Sequence, residues 1–296
     1  MTVDLAYEVH GPDDAPVLLL IAGLGAQRGW WPPAFVGRLA ATHRVVLLDN
    51  RDVGRSPWMD HLDKPSVTMA AWGAGQMVPP PYSLREMAAD VIALLDRLGV
   101  DRAHVLGASM GGMIAQHLAF GWPERVATLT SMMSTTGAPD VPPGDPQVLA
   151  VLTASAPIDD LDAFLDAGAA GARASAGPHF DEADARRRNR AYWDGGLNPD
   201  ASGRHILAVL ADGDRTERLA AITAPTLVIH GQLDPMIRVE GGRATAAAIA
   251  GAQLLELPEI GHELPASMHV RVADAVLAHT GVVHRAVTHR GVADAV

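Results

Sequence analysis

The sequence predicts an α/β protein in which a mostly parallel β-sheet is covered by helices on both faces. Strand-like and helix-like segments alternate through the first third of the chain, which is the pattern of strands joined by crossover helices. The runs 17–21 and 45–48 are apolar at every position, as expected of strands buried on both sides. The strand pattern returns near the carboxyl end, so both parts of the chain are predicted to form one sheet.

The predicted strands are short apolar runs, and the predicted helices carry apolar residues at helical spacing. The first part of the sheet is predicted from strands at 3–9, 17–21, 45–48, 104–107 and 126–131, with helices at 34–41, 84–98 and 110–120. Ser83 and Glu86 are spaced as a capping box at the start of the second helix, and Gly99 ends it. Residues 57–81, rich in proline and glycine, are predicted to be a long surface loop.

Between 137 and 216 the strand pattern stops, and the segment is rich in alanine, aspartate and arginine. Helical stretches are predicted near 147–154, 161–172 and 181–194, before strands return at 226–230 and 253–257. The predicted organisation is a discontinuous core domain (1–136 and 217–283), a helical cap (137–216) and a tail (284–296) that frays.

Composition limits the classes of function. A length of 296 residues suits either two domains or one α/β domain that carries an insertion. A content of 48% hydrophobic and 19% charged residues indicates a globular protein. The 23 basic and 34 acidic residues give a formal charge of −11, which opposes binding to nucleic acid or to an anionic membrane. The absence of cysteine excludes disulfides, thiolate metal sites and cysteine nucleophiles.

A candidate nucleophile lies in Gly107-Ala108-Ser109-Met110-Gly111, which fits the pattern G-x-S-x-G. The motif stands directly after a predicted strand and directly before a predicted helix, where a sharp turn projects the serine above the sheet. This context favours a catalytic Ser109 over a serine in an ordinary turn. The N–H of Met110, at the start of that helix, is a predicted donor to an oxyanion.

A serine hydroxyl is a poor nucleophile at neutral pH, so it needs a histidine base and a carboxylate that orients the base. His262 follows the predicted strand 253–257, and Asp234 follows the predicted strand 226–230. Both positions are carboxyl ends of strands, where ligand chemistry collects in open α/β sheets. Asp140, beyond the strand 126–131, remains an alternative acid.

Other polar residues have simpler interpretations. His43, His104, His205 and His230 are interpreted as strand-edge or surface histidines, and Asp212 and Asp214 as solvated charges of the insertion. Arg51, beside Asp49 and Asp52, is interpreted as part of a buried ion-pair turn rather than a substrate clamp.

The turn Ala22-Gly23-Leu24-Gly25 follows an early strand, so the N–H of Leu24 is a candidate second oxyanion donor; a glycine loop without a catalytic part is the alternative. Gly23-Leu24-Gly25 completes no dinucleotide fingerprint, so no nucleotide cofactor is expected. Gly23, Met113, Met133 and Met236 are candidate pocket residues because flexible thioethers suit an adaptable apolar pocket, with core packing as the alternative for the methionines.

Several segments resemble a known family: 22–27, 49–56, 107–116, 131–137 and 261–265. Together they resemble the α/β-hydrolase superfamily and, within it, bacterial serine esterases similar to aclacinomycin methylesterase. The likeness spans about residues 5–280. It implies an α/β-hydrolase fold with an eight-stranded, mostly parallel sheet and a helical cap. It also implies Ser109 as nucleophile, Asp234 as acid and His262 as base, acting on esters of bulky apolar molecules such as a methyl ester of a polyketide-type metabolite.

The expected protein is therefore a serine carboxylesterase that works through an acyl-enzyme without a metal or an organic cofactor. The same triad also serves perhydrolysis and the hydrolysis of thioesters or carbon–carbon bonds, and a ligand-binding protein without turnover is the alternative from another class. The expected partner is a small-molecule ester, with no nucleic acid and no membrane, for a monomer or homodimer. The N-terminus shows no signal pattern and no apolar run has membrane-spanning length, so the expected location is the cytoplasm.

Overall fold

The computed structural model describes residues 1–153 and 159–290, and within them seven strands form one sheet. The spatial order is β1-β3-β2-β4-β5-β6-β7, in which β1 pairs antiparallel with β3 and every other pair is parallel. The strands are β1 (Tyr7–His10), β2 (Val17–Ile21), β3 (Arg44–Leu48), β4 (Ala103–Ala108), β5 (Val126–Met132), β6 (Thr226–Gly231) and β7 (Gln253–Leu257). From β2 to β7, each strand begins and ends within one residue of its predicted bounds.

Helices cover both faces of this sheet. They are α1 (Pro33–Ala40), α2 (Pro65–Gly73), α3 (Leu84–Arg97), α4 (Met110–Gly121), α5 (Pro146–Thr153), α6 (Leu161–Ser175), α7 (Glu182–Gly195), α8 (Ala201–Asp212), α9 (Thr216–Leu219), α10 (Val239–Ala248) and α11 (His269–Arg290). Side chains of α3 and α4 pack with Leu19 and Ile21 of β2, whereas those of α1 and α11 pack with Leu18 and Leu20. Because side chains alternate along a strand, these two clusters lie on opposite faces.

The capping box at the start of α3 is confirmed. The Ser83 hydroxyl accepts from the N–H of Glu86 at 3.2 Å, and the Glu86 carboxylate accepts from the N–H of Ser83 at 2.9 Å. Two amide groups that the helix leaves without backbone partners are satisfied in this way. The capping box fixes where α3 begins.

The predicted strand at 3–9 is wrong in its first half. The N–H of Val3 donates to the carboxylate of Asp90 at 2.8 Å, and the N–H of Ala6 donates to the Ser56 hydroxyl at 2.9 Å. Side-chain acceptors therefore replace the carbonyl groups of a neighbouring strand. The described residues form seven strands, one fewer than the eight that the family resemblance implies.

The predicted loop at 57–81 contains a helix. Helix α2 begins at Pro65, whose ring holds φ near its helical value and whose missing N–H costs nothing in the first turn. This helix packs against α8 of the inserted segment, which we define as residues 137–216.

The inserted segment consists of helices α5 to α8 and the start of α9, and it connects β5 to β6. Residue 154, the last of the first predicted helix there, lies outside the described residues. The segment leaves and rejoins the core at neighbouring points, because the N–H of Arg215 donates to the carbonyl of Thr136 at 2.8 Å and its guanidinium donates to the carbonyl of Thr135 at 2.8 Å. We call this junction the Arg215 joint.

At the carboxyl end, α11 continues through Arg290, and residues 291–296 of the predicted tail lie outside the described residues. No helix in the described part of the chain combines the length and the apolar character needed to cross a bilayer.

Candidate active site

Ser109 occupies a sharp turn between β4 and α4. Its backbone has φ 56° and ψ −122°, in the left-handed region that residues with a side chain rarely adopt. The turn is tight enough that a Cβ on Gly107 would lie 2.1 Å from the carbonyl oxygen of Gly111, and a Cβ on Gly111 would lie 2.2 Å from that of Ile21. The two glycines of the motif are therefore required by close backbone approach, and the strained Ser109 stands where the sequence motif predicts a nucleophile.

Asp234 and His262 form a close pair at the carboxyl ends of β6 and β7. Oδ2 of Asp234 lies 2.7 Å from Nδ1 of His262, and Oδ1 accepts from the N–H groups of Met236 and Ile237 at 2.9 Å each. An ionised carboxylate only accepts hydrogen bonds, so its partner Nδ1 carries the proton and Nε2 is left with a lone pair. Asp140, the alternative acid, is exposed.

The environment of Asp234 keeps it ionised. Burial raises the pKa of this carboxyl group, but the neighbouring His262 and the hydrogen bonds of the site together hold the pKa well below its ordinary value. His230 also contributes, because its Nε2 lies 3.5 Å from Oδ2 of Asp234 and 2.8 Å from the carbonyl of Ile237. A charged Asp234 is what stabilises an imidazolium on His262.

The loop that carries His262 is held by the end of α6. The N–H of His262 donates to the carbonyl of Ser175 at 2.8 Å, and the N–H of Gly177 donates to the Glu263 carboxylate at 2.8 Å. A Cβ on Gly261 would lie 2.5 Å from the Ser175 oxygen and from the Gly177 nitrogen. The inserted segment and the histidine loop thus meet backbone to backbone.

The predicted oxyanion turn lies against Ser109. A Cβ on Gly23 would lie 3.1 Å from Cβ of Ser109 and 3.5 Å from its Oγ. Leu24 follows in the same half-buried turn, and Met110 is the first residue of α4, so its N–H has no acceptor within the helix. In the part of the chain that the structure describes, the N–H of Leu24 likewise donates to no other group.

The structure thus brings Asp234 to His262, and Gly23 to Ser109. No hydrogen bond joins the Ser109 hydroxyl to His262 among residues 1–153 and 159–290. Both residues nevertheless follow parallel strands at the same edge of the sheet, and both are partly accessible to solvent. Catalytic hydrogen bonds of this kind are often long without substrate and tighten when it binds.

The candidate pocket residues divide into two groups. Met113 and Met133 are 5% and 3% exposed and belong to the two core clusters on opposite faces of the sheet. Gly23 and Met236, in contrast, lie beside Ser109 and Asp234. Core packing accounts for Met113 and Met133 without a ligand.

Several interpretations of polar residues need correction. Four histidines interpreted as strand-edge or surface residues are buried, so none of them is a surface residue: His43, His104, His205 and His230. The first immediately precedes β3, the second and fourth lie in β4 and β6, and the third lies in α8. Asp212 is largely buried and pairs with Arg215, Arg218 and His117, so it is not a solvated charge. Arg51 is the predicted structural ion pair, but its partner is Asp90 of α3, at 2.7 and 2.8 Å.

The sequence reasoning missed two histidines that touch this site. His230 lies beside Asp234, and His205 of α8 accepts a hydrogen bond from the N–H of Gly25 in the predicted oxyanion turn at 3.1 Å. The position of His230 at the carboxyl end of a buried strand was a usable signal. No sequence signal pointed to His205, because 180 residues separate it from Gly25. Within the described ranges, no group of three side chains is arranged to hold a metal ion.

Comparisons with known proteins identify the family of this fold. A family model described as "alpha/beta hydrolase fold" matches residues 16–266. Rhodomycin D methylesterase of Streptomyces peucetius is 34% identical, covering 91% of this chain and 92% of the relative. A putative carbamate hydrolase of Variovorax paradoxus is 34% identical, covering 87% and 89%. The crystal structure of a hydrolase from Pseudomonas aeruginosa superposes with a TM-score of 0.69 at 28% identity, covering 94% and 95%.

Proposed function

Since the chain belongs to the alpha/beta hydrolase family, we propose that it is a carboxylic ester hydrolase that forms an acyl-enzyme at Ser109. The methylesterase relative supports the reaction class. The observation that carries the proposed triad is the bond between Asp234 and His262, formed at the sheet edge that also presents Ser109 in its strained turn. That arrangement supplies a nucleophile, a base and a group that orients the base.

In the first half-reaction, the substrate carbonyl oxygen accepts hydrogen bonds from the N–H groups of Leu24 and Met110. Nε2 of His262 takes the Ser109 proton as Oγ bonds to the carbonyl carbon, and the carbonyl electron pair moves to oxygen. When the tetrahedral intermediate collapses, the bond to the alcohol oxygen breaks, and that oxygen takes the proton from His262. An alcohol leaves, and an ester on Ser109 remains.

In the second half-reaction, a water molecule replaces the alcohol. It gives a proton to Nε2 of His262 as its oxygen bonds to the acyl carbon, and the same two N–H groups stabilise the oxyanion. Collapse returns the proton to Oγ of Ser109 and releases the acid. Asp234 stabilises the imidazolium in both halves without accepting a proton itself.

We further propose that the inserted segment is a cap over this site, with 1–136 and 217–283 as the core domain. The contacts of α8 with the oxyanion turn and of α6 with the histidine loop support this division. By analogy with the methylesterase relative, the proposed substrate is an ester of a bulky apolar molecule, such as a methyl ester. The carbamate hydrolase relative favours a carbamate as the second candidate, since carbamate cleavage also begins with attack on an acyl carbon.

A fluorophosphonate probe tests the proposed nucleophile. We expect one label per chain on the peptide that contains Ser109, and no label in S109A. The control is S66A, which removes a hydroxyl from an exposed position of α2 and keeps full labelling. A folded wild-type protein that takes no label would overturn the proposal and favour a ligand-binding protein.

A substrate panel then separates the candidate substrates. It pairs p-nitrophenyl esters of rising chain length with bulky aryl methyl esters and with an aryl carbamate. We expect turnover of esters above that of the carbamate, and the series that reacts fastest identifies the side of the scissile bond that the site accommodates. Preference for the carbamate would contradict the ester assignment.

A further inference from the structure

One side chain of the inserted segment contacts the oxyanion turn directly. His205 of α8 is 0% exposed, and its two ring nitrogens have different partners. Nδ1 lies 3.1 Å from the N–H of Gly25, and Nε2 lies 3.0 Å from the carbonyl oxygen of Arg51. The imidazole therefore bridges two loops that follow neighbouring strands, β2 and β3.

These partners fix the protonation state of His205. A backbone N–H only donates and a carbonyl only accepts, so Nδ1 must present a lone pair and Nε2 must carry the proton. Burial lowers the pKa of His205 to about 4, although the carbonyl of Arg51 and the charge of Asp52 oppose that shift. The guanidinium groups of Arg51 and Arg204 lower it further, and the ring of Tyr82 packs against the imidazole. The neutral form required by the two hydrogen bonds is thus the stable form at neutral pH.

The turn is shaped to meet α8. Gly25 has φ +65°, and a Cβ on it would lie 2.5 Å from the hydroxyl of Ser202, one turn before His205 on the same helix. The close approach leaves no room for a side chain between turn and helix. The N–H of Gly25 belongs to the peptide bond that joins Leu24 to Gly25. The N–H of Leu24, one residue earlier, is a proposed oxyanion donor.

Helix α8 is itself fixed to the core beside His205. The Arg204 guanidinium lies 3.0 Å from the buried carboxylate of Asp52, which also accepts from the Tyr82 hydroxyl at 2.7 Å and from the Asn198 side chain at 3.0 Å. These contacts hold the part of α8 that carries His205, and a group that positions another needs such a fixed support.

We propose that His205 is a positioning residue that holds the oxyanion turn, and so sets the direction of the Leu24 N–H. The inference rests on the proposed function and extends it: the inserted segment takes part in stabilising the transition state as well as covering the substrate. An oxyanion donor acts through preorganisation, so a turn that is free to tilt loses stabilisation of the transition state more than binding of the substrate.

Three substitutions test this role with p-nitrophenyl butyrate as substrate. H205F removes both hydrogen bonds. H205N keeps an amide oxygen near the Nδ1 position, able to accept from Gly25, whereas H205Q reaches toward the Nε2 position and donates to Arg51. We expect kcat to fall about ten- to a hundred-fold in H205F and H205Q with KM changed less than about threefold, and H205N to recover most of kcat.

A control separates positioning from general stability. H104N changes another buried histidine, at the amino end of β4, and is expected to lower the melting temperature without changing kcat. If H205F does not fold, the kcat values of H205N and H205Q test the positioning role on their own. The inference is overturned if H205F keeps the wild-type kcat, or if H205N loses as much kcat as H205Q. An unlabelled Ser109 in the wild-type protein would instead be a failure of the proposed function.

Discussion

The backbone N–H of His262 donates a 2.8 Å hydrogen bond to the carbonyl of Ser175, so the proposed catalytic base is held by the last residue of a helix in the inserted segment. The Glu263 carboxylate adds a second bond, to the N–H of Gly177. The histidine loop therefore depends on the inserted segment for its position, as the oxyanion turn does through His205.

A methyl group at position 261 tests that contact. In G261A, the new Cβ would lie 2.5 Å from backbone atoms of residues 175 and 177, so the two backbones must separate. We expect kcat to fall at least about tenfold, since small displacements of a catalytic group cost about that much or more. The matched control is G121A, where a Cβ meets nothing within 4 Å and where kcat should not change. Equal activity of the two variants would contradict a role for the contact.

Substitution of Asp234 by asparagine tests the acid. The amide can donate to Nδ1 of His262, which then favours the tautomer with the proton on Nε2, so the base is lost while the shape of the site is kept. In related triads this change costs about ten-thousand-fold in kcat, and we expect a similar loss here. D140N is the control, because Asp140 is exposed. A larger loss in D140N than in D234N would reverse the assignment of the acid.

The buried pair of Arg204 and Asp52 should contribute strongly to stability. The side chain of Arg204 is 1% exposed and that of Asp52 is 0% exposed, so R204M leaves a buried carboxylate without its charged partner. We expect the free energy of unfolding to fall by about 3 kcal/mol in urea titrations. R190M breaks an exposed pair with Asp194 and should leave the urea midpoint unchanged. Similar midpoints for the two variants would show that burial does not strengthen the first pair.

Acid should destabilise the protein in part through His205. Its pKa is about 4 when folded, below the ordinary 6.5, so the unfolded chain binds a proton first as pH falls. The stability that the neutral imidazole contributes is complete above pH 6.5 and is lost progressively as pH falls toward 4. Between pH 7.5 and pH 5, the wild type should lose about 2 kcal/mol more than H205N in urea titrations. Parallel losses in both proteins would rule out this contribution.

The sequence predicted those parts of the fold that depend on local patterns. Buried parallel strands are apolar at every position, and the elbow around Ser109 needs glycines at fixed offsets, so both leave a signal within a few residues. Asp234 and His262 were candidates because each lies a few residues beyond a recognisable strand, and the structure places their side chains 2.7 Å apart. The comparisons confirm the family that these motifs indicated.

Features that depend on distant contacts were missed. Val3 and Ala6 do not pair with a strand, because their N–H groups donate to the side chains of Asp90 and Ser56. These partners are distant in the sequence, so no pattern near residue 3 predicts them. His205 was interpreted as a strand-edge or surface residue, yet tertiary packing buries it completely. Polar residues whose burial is set by tertiary structure give little periodic signal.

The Arg215 joint suggests that the inserted segment can be exchanged as a cassette, since its entry and exit are side by side. A foreign cassette would bring a new lining to the proposed site, but it would also discard the His205 imidazole and the Ser175 carbonyl, which contact the predicted oxyanion turn and the histidine loop. Chimaeras spliced there should recover turnover when those two contacts are rebuilt. A change of substrate specificity through this segment must therefore keep the two contacts that position the proposed catalytic groups.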